Sequence, residues 1–303
     1  MRLRRRASGP VAAILACLLL LIPAGCSDAP GGDAAETAPA SPLLYEIASA
    51  DGAVEGWMLG TIHALPSGTR WRTAAIDRVI DEADLLVVEI AGLRDRSNLA
   101  STFAELAASP GLPPLSERLP AELRPQLASL MERGGLSPEA FANRETWAAA
   151  ITLAQIDATG DPASGADRAV IEEFAGRPIV EFEGAYTQLS IFDRLPEGQQ
   201  RGMLAAIVRE SEKTGRDPAR LRGAWLAGDA ATIEQSTREG FLADPALREA
   251  LLTGRNRNWI AALVPMLAKP ARPLVAVGTA HLVGPEGIAA LLEANGYRIR
   301  RLS

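Results

Sequence analysis

Two stretches of the chain decide its fold: Trp57-Met58-Leu59-Gly60-Thr61-Ile62-His63 and Val275-Ala276-Val277-Gly278-Thr279-Ala280-His281. In each, apolar residues run into Gly-Thr-x-His, which predicts a buried strand, a tight turn and an imidazole just past the strand end. The chain has only 2 histidines, and these are both of them. Histidine is the side chain best suited to proton transfer near neutral pH and the commonest metal ligand. We therefore predict that His63 and His281 share one site; the alternative is that each is a hydrogen-bonded core residue.

Further apolar segments outside these stretches predict the rest of the sheet. The six predicted strands are residues 43–47, 54–60, 85–90, 178–182, 273–278 and 297–302. Helical patterns lie between them, at residues 71–83, through most of 98–164, across 196–267 with turns near Gly215, Gly228 and Gly254, and at 284–293. This order predicts an α/β fold, with a central mixed sheet flanked by helices and a large helical insertion. A duplicated pair of halves is the alternative architecture.

The amino terminus has the pattern of an export signal. Four arginines precede an uncharged apolar stretch at residues 11–22, and Pro23-Ala24-Gly25-Cys26 follows. We predict a signal peptide at residues 1–25, since its apolar stretch is too short to span a bilayer as a stable helix. The end of this segment also resembles a bacterial lipobox, although Pro23 stands where that motif usually has leucine. Cys26 is thus the predicted lipidation site; the alternative is ordinary cleavage that leaves a free periplasmic or extracellular protein.

The segment that begins at Cys26 predicts a tether between the membrane anchor and the folded domain. Residues 26–42 are rich in Ala, Pro, Gly, Asp and Ser, a composition typical of a flexible tether. Residues 43–303 then form the α/β domain. We expect an exported protein of the bacterial cell envelope, lipid-anchored at the periplasmic face of a membrane.

Charge and cysteine content exclude several classes of protein. The formal net charge is −6, and loss of the four leader arginines leaves 27 basic against 37 acidic side chains. Because no basic patch remains, we expect no nucleic-acid partner. Of the 2 cysteines, Cys17 leaves with the leader and Cys26 is the lipidation candidate, so no disulfide is expected within the mature chain. The chain also lacks a Gly-x-Ser-x-Gly elbow and a phosphate-binding glycine loop, which disfavours nucleophilic-serine and nucleotide chemistry.

Two acids end other predicted strands and complete a candidate site. Glu89 ends one strand and Glu183 follows another, and neighbouring strands deliver their final residues to one crevice. Two imidazoles with one or two carboxylates can bind a divalent transition metal and leave positions for water. Such an ion would lower the pKa of the water, and a spare glutamate would act as a general base. The alternative is that Glu89 and Glu183 are solvated or form salt bridges.

Other polar residues have weaker signals. Arg255 and Asn256 begin the helix that carries Trp259 and could hold a substrate carboxylate; a surface or capping role is the alternative. Asp167 is predicted to cap a helix at residues 168–174. The threonines of the two motifs are expected to hydrogen-bond within their turns.

At these residues the sequence resembles the TraB/GumN family, which is related to the TIKI membrane-anchored metalloproteases and to PrgY. The resemblance extends from about Tyr45 to Leu302. Its motifs are the two Gly-Thr-x-His stretches, Trp71, Ala83-Asp84-Leu85-Leu86-Val87-Val88-Glu89, Gly165-Ala166-Asp167, Phe182-Glu183 with Gln188, Trp225-Leu226-Ala227-Gly228-Asp229, Arg255-Asn256 and Leu282-Val283-Gly284-Pro285-Glu286-Gly287. Many bacterial members have Gly-Ala-Gly-His at the second motif, where this chain has Gly278-Thr279-Ala280-His281.

The resemblance implies an α/β fold and a divalent-metal site of the manganese or cobalt type, with zinc as a further possibility. It implies His63 and His281 as metal ligands, and Glu89 and Glu183 as further ligands or catalytic acids. The leading hypothesis is an envelope-anchored metal-dependent hydrolase that cleaves peptides or proteins. The alternative is a non-enzymatic envelope protein that binds a peptide, a polysaccharide or a metal-bearing ligand in the same crevice.

Overall fold

The computed structural model describes residues 39–211 and 219–303. The predicted signal peptide, Cys26, most of the tether and the turn near Gly215 lie outside the described residues. Six strands form one sheet in the order β4-β3-β5-β2-β1-β6. They are β1 (Leu44–Ala48), β2 (Val54–Thr61), β3 (Leu85–Val88), β4 (Ile179–Glu181), β5 (Pro273–Gly278) and β6 (Arg298–Leu302).

Strand direction divides the sheet into two parts. β4, β3, β5 and β2 are parallel neighbours, whereas β1 pairs antiparallel with both β2 and β6. The mixed sheet with flanking helices confirms the predicted α/β fold. All six predicted strands are present, and residues 273–278 form β5 with the predicted bounds.

Helices fill the connections between the strands. They are α1 (Ala74–Glu82), α2 (Arg96–Leu106), α3 (Arg124–Arg133), α4 (Thr146–Ala154), α5 (Ala166–Glu173), α6 (Gly184–Asp193), α7 (Glu197–Glu210), α8 (Ala219–Ala227), α9 (Ala230–Ser236), α10 (Pro245–Arg248), α11 (Gly254–Leu267) and α12 (Ile288–Ala294). The turn predicted near Gly254 is wrong, because a π-helical segment, Glu249–Thr253, leads directly into α11. Across the described ranges, none of the helices is long and apolar enough to cross a membrane.

Both faces of the sheet are buried. Successive strand side chains point to opposite faces, so neighbouring strand residues enter different cores. One core contains Leu59, Leu86 and Leu274, and the other contains Met58, Val87 and Val275. The carboxyl ends of β2, β3 and β5 are buried as well, so polar side chains that follow these ends enter the interior of the protein.

The helix before β3 shows how local sequence sets these elements. Thr73 caps α1 by accepting a hydrogen bond from the Ile76 N–H, 3.2 Å away. Ile76, Val79 and Ile80 form its buried face. The chain then leaves the helix at Ala83 and enters β3, which carries Glu89 just beyond its end.

Candidate functional site

One predicted site residue follows the carboxyl end of each of the four parallel strands, and these four ends lie on the same side of the sheet. His63 lies two residues after β2, Glu89 directly follows β3, Glu183 lies two residues after β4, and His281 closes the 3-10 turn after β5. Across the carboxyl ends of the strands, the residues therefore follow one another in the order Glu183, Glu89, His281 and His63. No more than 9% of any of these side chains is exposed. The structure thus brings the four residues together in a buried row.

Arg255, from the first turn of α11, binds both acids. Its Nε and Nη2 donate to the two carboxylate oxygens of Glu183, each at 2.8 Å, and Nη2 also donates to Glu89 Oε2 at 2.7 Å. The arginine is 3% exposed, and its guanidinium lies over the Trp259 ring, 4.6 Å from the centroid. Glu89 and Glu183 thus form salt bridges, which was the alternative to a role as metal ligands. Two buried carboxylates share one buried guanidinium, which supplies the charge pairing that burial demands.

Neutral donors complete the hydrogen bonding of the two carboxylates. The Gly278 N–H donates to Glu89 Oε1 at 2.8 Å, and Gln188 Nε2 donates to Glu89 Oε2 at 2.9 Å. Trp259 Nε1 donates to Glu183 Oε1 at 2.9 Å. The role of Trp259 was not predicted, although its spacing of four residues from Arg255 places the two on one helix face. The acids are therefore held in one fixed arrangement.

The charges in this cluster shift two pKa values. Burial alone would raise the pKa of Glu89, but Arg255, the two imidazoles and the Gly278 N–H lower it from 4.5 to about 2. Burial and the charge of Arg255 lower the pKa of His281 from 6.5 to about 3, against the opposing effect of Glu89. At neutral pH, Glu89 is thus an anion and His281 is a neutral imidazole.

Hydrogen-bond partners settle the tautomer of His281. Asn256 Nδ2 donates to the Glu286 carbonyl at 2.8 Å, which turns Asn256 Oδ1 toward His281 Nδ1 at 2.6 Å. Because that oxygen only accepts, the proton of the neutral ring is on Nδ1. Arg255 Nη1, 3.3 Å from His281 Nε2, can only donate, so Nε2 carries the lone pair. Two independent partners thus select the same tautomer.

His63 has a different partner but the same orientation. Its Nδ1 hydrogen-bonds Asp167 Oδ2, and both side chains are buried. A carboxylate accepts only, so Nδ1 carries a proton, and in the neutral ring Nε2 then carries the lone pair. The predicted helix cap is wrong: Gly165 is the N-cap of α5, and Asp167 lies inside the first turn, where it contacts His63. The cap was inferred from spacing along the chain, whereas the partner of Asp167 is 104 residues away.

Gly165 is required for the contact between this turn and His63. A Cβ at Gly165 would lie 2.4 Å from the His63 carbonyl oxygen and 2.6 Å from Asp167 Oδ1. We expect Gly165→Ala to destabilise the protein by about 1–3 kcal/mol, because a fixed backbone atom must move. Urea denaturation measures this change.

The matched control is Gly202→Ala, an exposed position of α7 where a Cβ would contact nothing within 4 Å. It should stabilise the protein by up to about 1 kcal/mol, since alanine favours helix. Equal effects of the two substitutions would argue against a tight contact at Gly165.

The threonines of the twin motifs are not bonded as predicted. Thr61 Oγ1 and Thr279 Oγ1 are buried, and neither has a hydrogen-bond partner among the residues that the structure describes. The Thr279 hydroxyl instead occupies the space over Gly60, where a Cβ would lie 2.5 Å from it. The expected hydrogen bonds within the turns are therefore absent from this part of the chain.

The remaining predicted roles can be compared with these contacts. The polar groups of Arg255 and Asn256 bind within the protein, so their role toward a substrate stays a prediction. In the described ranges, no group of three or more His, Cys, Asp or Glu side chains is arranged to hold a metal ion. Both imidazoles have the anchored Nδ1–H of a metal-binding histidine, but Arg255 Nη1 donates to Nε2 of His281, so the guanidinium must move before that nitrogen can bind a metal ion. Glu89 and Glu183 fit less well, since Arg255 occupies the position between them.

Comparisons with known proteins match nearly all of the folded region. Residues 43–301 match the model of the TraB/PrgY/gumN family. The chain is 25% identical over 240 residues to the uncharacterized protein YbaP of Escherichia coli (strain K12), covering 78% of this chain and 86% of that protein. The uncharacterized protein YbaP of Shigella flexneri gives the same figures. No solved structure matches the chain.

Proposed function

The chain belongs to the TraB/PrgY/gumN family, and from that premise we propose that it is a divalent-metal-dependent hydrolase of peptide bonds. The observation that carries the proposal is the pair of imidazoles at neighbouring strand ends, both held as the Nδ1–H tautomer by buried oxygen acceptors. A histidine that donates its Nδ1–H to an oxygen and keeps its Nε2 lone pair is the usual form of a metal-binding imidazole. The peptide substrate rests on the resemblance to the TIKI metalloproteases.

In this proposal, His63 and His281 would hold the ion, which would be manganese, cobalt or zinc. A bound ion of this kind supplies Lewis-acid polarisation of a carbonyl and lowers the pKa of water. The depressed pKa of His281 keeps it neutral, and therefore able to donate its lone pair, well below neutral pH. Burial of both rings limits their motion, which favours a fixed ligand geometry.

Glu89, Glu183 and Arg255 have a supporting role in the proposal. With a pKa of about 2, Glu89 is a weak proton acceptor at neutral pH. Its charge instead holds Arg255 near His281, where Nη1 lies 3.3 Å from Nε2. We assign Glu89, Glu183 and Arg255 to the electrostatic framework of the site and not to proton transfer.

The setting of this activity is also part of the proposal. The leader at residues 1–25 and Cys26 support export and a lipid anchor in the bacterial envelope. The substrate would then be a peptide or protein within reach of that membrane face. Labelling with a fatty-acid analogue, comparing wild type with Cys26→Ser, tests the anchor independently of the active site.

The direct test is to measure metal affinity and peptide hydrolysis in wild type, His63→Gln and His281→Gln. We expect each substitution to lower affinity for Mn²⁺, Co²⁺ or Zn²⁺ by on the order of 100-fold or more, because it removes a ligand rather than a ligand's neighbour. Hydrolysis should be lost in parallel. Titration calorimetry with the metal alone and a fluorogenic peptide library give the two readouts.

A matched control is Gln235→Ala, an exposed residue of α9. It should change neither readout. Unchanged metal affinity and hydrolysis in both histidine variants would contradict the proposal.

A second candidate function is a non-enzymatic binding protein, and one observation favours it. All four oxygens of Glu89 and Glu183 accept hydrogen bonds from protein donors, so neither carboxylate is poised to accept a proton. Beside Asn256, a small pocket open to solvent is lined by residues that include Arg238, Arg248 and Pro285. Tight metal or peptide binding by the wild type, without turnover across the library, would favour this function.

A further inference from the structure

We infer that Asp167 is a positioning residue, which fixes the tautomer of His63 and thereby the direction of its Nε2 lone pair. The consequence for activity rests on the proposed function, but the effect on the tautomer does not. The two motif histidines have the same tautomer but obtain it from different groups: a carboxylate at His63 and an amide at His281.

The carboxylate of Asp167 is itself fixed. Its Oδ1 accepts a hydrogen bond from the Arg168 N–H at 2.8 Å, while Oδ2 contacts His63 Nδ1. Asp167 is 4% exposed, so water has little access to either oxygen. Each oxygen therefore has an assigned donor, and the side chain cannot rotate without losing both.

Backbone hydrogen bonds attach this segment to the turn that carries His63. The Ala166 N–H donates to the Ile62 carbonyl at 2.8 Å, and Leu65 and Asp161 exchange two hydrogen bonds of 2.8 and 3.3 Å. These contacts hold the start of α5 against the His63 turn over several residues. The distance between Asp167 and the imidazole is thus set by the fold, as a positioning role requires.

The contrast with Asn256 predicts the effect of an amide at position 167. Asn256 presents its oxygen to His281 because its nitrogen donates to the Glu286 carbonyl. At position 167 the neighbouring group is an N–H donor instead, so an asparagine must turn its oxygen toward Arg168. Its nitrogen would then donate to His63 Nδ1, which forces the proton of the imidazole onto Nε2. Asp167→Asn is therefore expected to reverse the tautomer of His63.

The tautomer can be measured directly by ¹⁵N NMR of the histidine rings. With only 2 histidines in the chain, ¹⁵N-histidine labelling gives two ring systems, which His63→Gln and His281→Gln assign. At pH 7.5 we expect both wild-type rings to show Nδ1–H. In Asp167→Asn, His63 should change to Nε2–H while His281 stays unchanged, and the unchanged His281 shows that the fold is intact.

A purely structural role for Asp167 makes a different prediction. If other contacts set the tautomer of His63, Asp167→Asn leaves that tautomer unchanged, and this result would overturn the inference. Asp229→Asn is the matched control, because Asp229 caps α9 through the Thr232 N–H. It should leave both rings as in wild type.

Metal binding gives the second readout. Titration with Co²⁺ alone should show affinity reduced by about 10- to 100-fold in Asp167→Asn, the usual effect of losing a residue that orients a ligand. Peptide hydrolysis should fall by a similar factor. If the tautomer reverses but the wild type hydrolyses nothing, the inference stands and the proposed function fails. If the wild type hydrolyses peptides and the variant keeps both tautomer and activity, the inference fails alone.

Discussion

Replacing Arg255 with methionine is expected to lower the free energy of unfolding by about 3–5 kcal/mol at pH 7. The substitution leaves Glu89 and Glu183 buried next to each other without the cation that binds both. Two neighbouring buried carboxylates cannot both stay ionised, so the pKa of at least one must rise far above the value of about 2 now held by Glu89. Urea denaturation at pH 7 measures the loss, and the loss should shrink at pH 5.

Two comparisons make this result specific to the buried cluster. Arg257→Ala removes a cation from the same helix whose pair with Glu249 is about half exposed, and it should cost no more than about 1 kcal/mol. The combined change Arg255→Met with Glu89→Gln and Glu183→Gln should recover much of the stability, since no unpaired charge remains. A cost of less than about 1 kcal/mol for Arg255→Met alone would contradict the assigned role of Arg255.

The second large effect is an acid-dependent loss of stability that His281 causes. Its pKa is 6.5 in the unfolded chain and about 3 in the fold. Between these values the unfolded state binds more protons, so stability falls as pH falls, by about 1.4 kcal/mol per pH unit. The contribution is fully present above pH 6.5 and is lost progressively toward pH 3. Glu89 adds a loss of the same sign, but only below its unfolded value of 4.5.

The measurement compares wild type with His281→Gln in metal-free buffer between pH 7.5 and 5.0. The free energy of unfolding of the wild type, relative to that of the variant, should fall by roughly 2 kcal/mol from pH 7.5 to pH 5.0, because glutamine does not titrate. Stopping at pH 5.0 limits the contribution of Glu89 and of the exposed acids. A difference between the two proteins that stays constant with pH would show that His281 is not held neutral by its surroundings.

The sheet was predictable from the sequence for a simple physical reason. Parallel strands covered on both faces must be apolar at almost every position, and such runs stand out, as at Pro273–Gly278. The meeting of His63, Glu89, Glu183 and His281 follows from the same reasoning, since parallel strands end at one edge.

The contacts between these residues were not predictable in the same way. Arg255 reaches the acids because of where α11 packs, and Asp167 reaches His63 because α5 begins against the β2 turn. Neither placement follows from local periodicity. The expected burial of Glu89 and Glu183 gave a partial signal, because two buried carboxylates need a cationic partner. Arg255 was a candidate for that partner, since it lies one helical turn before the apolar Trp259 and on the same helix face.

The position of β5 has a consequence for the order in which the protein folds. β5 lies between β3 and β2, and it joins the pair β3–β4 to the pair β1–β2 within the sheet. Trp57 in β2 pairs with Leu274 in β5, so a strand near the start of the fold pairs with a strand near the end of the chain. Contacts between segments so distant along the chain slow folding. The strands that carry His63 and Glu89 are joined in the sheet only through β5, so the pairing of β5 with both strands completes this side of the site.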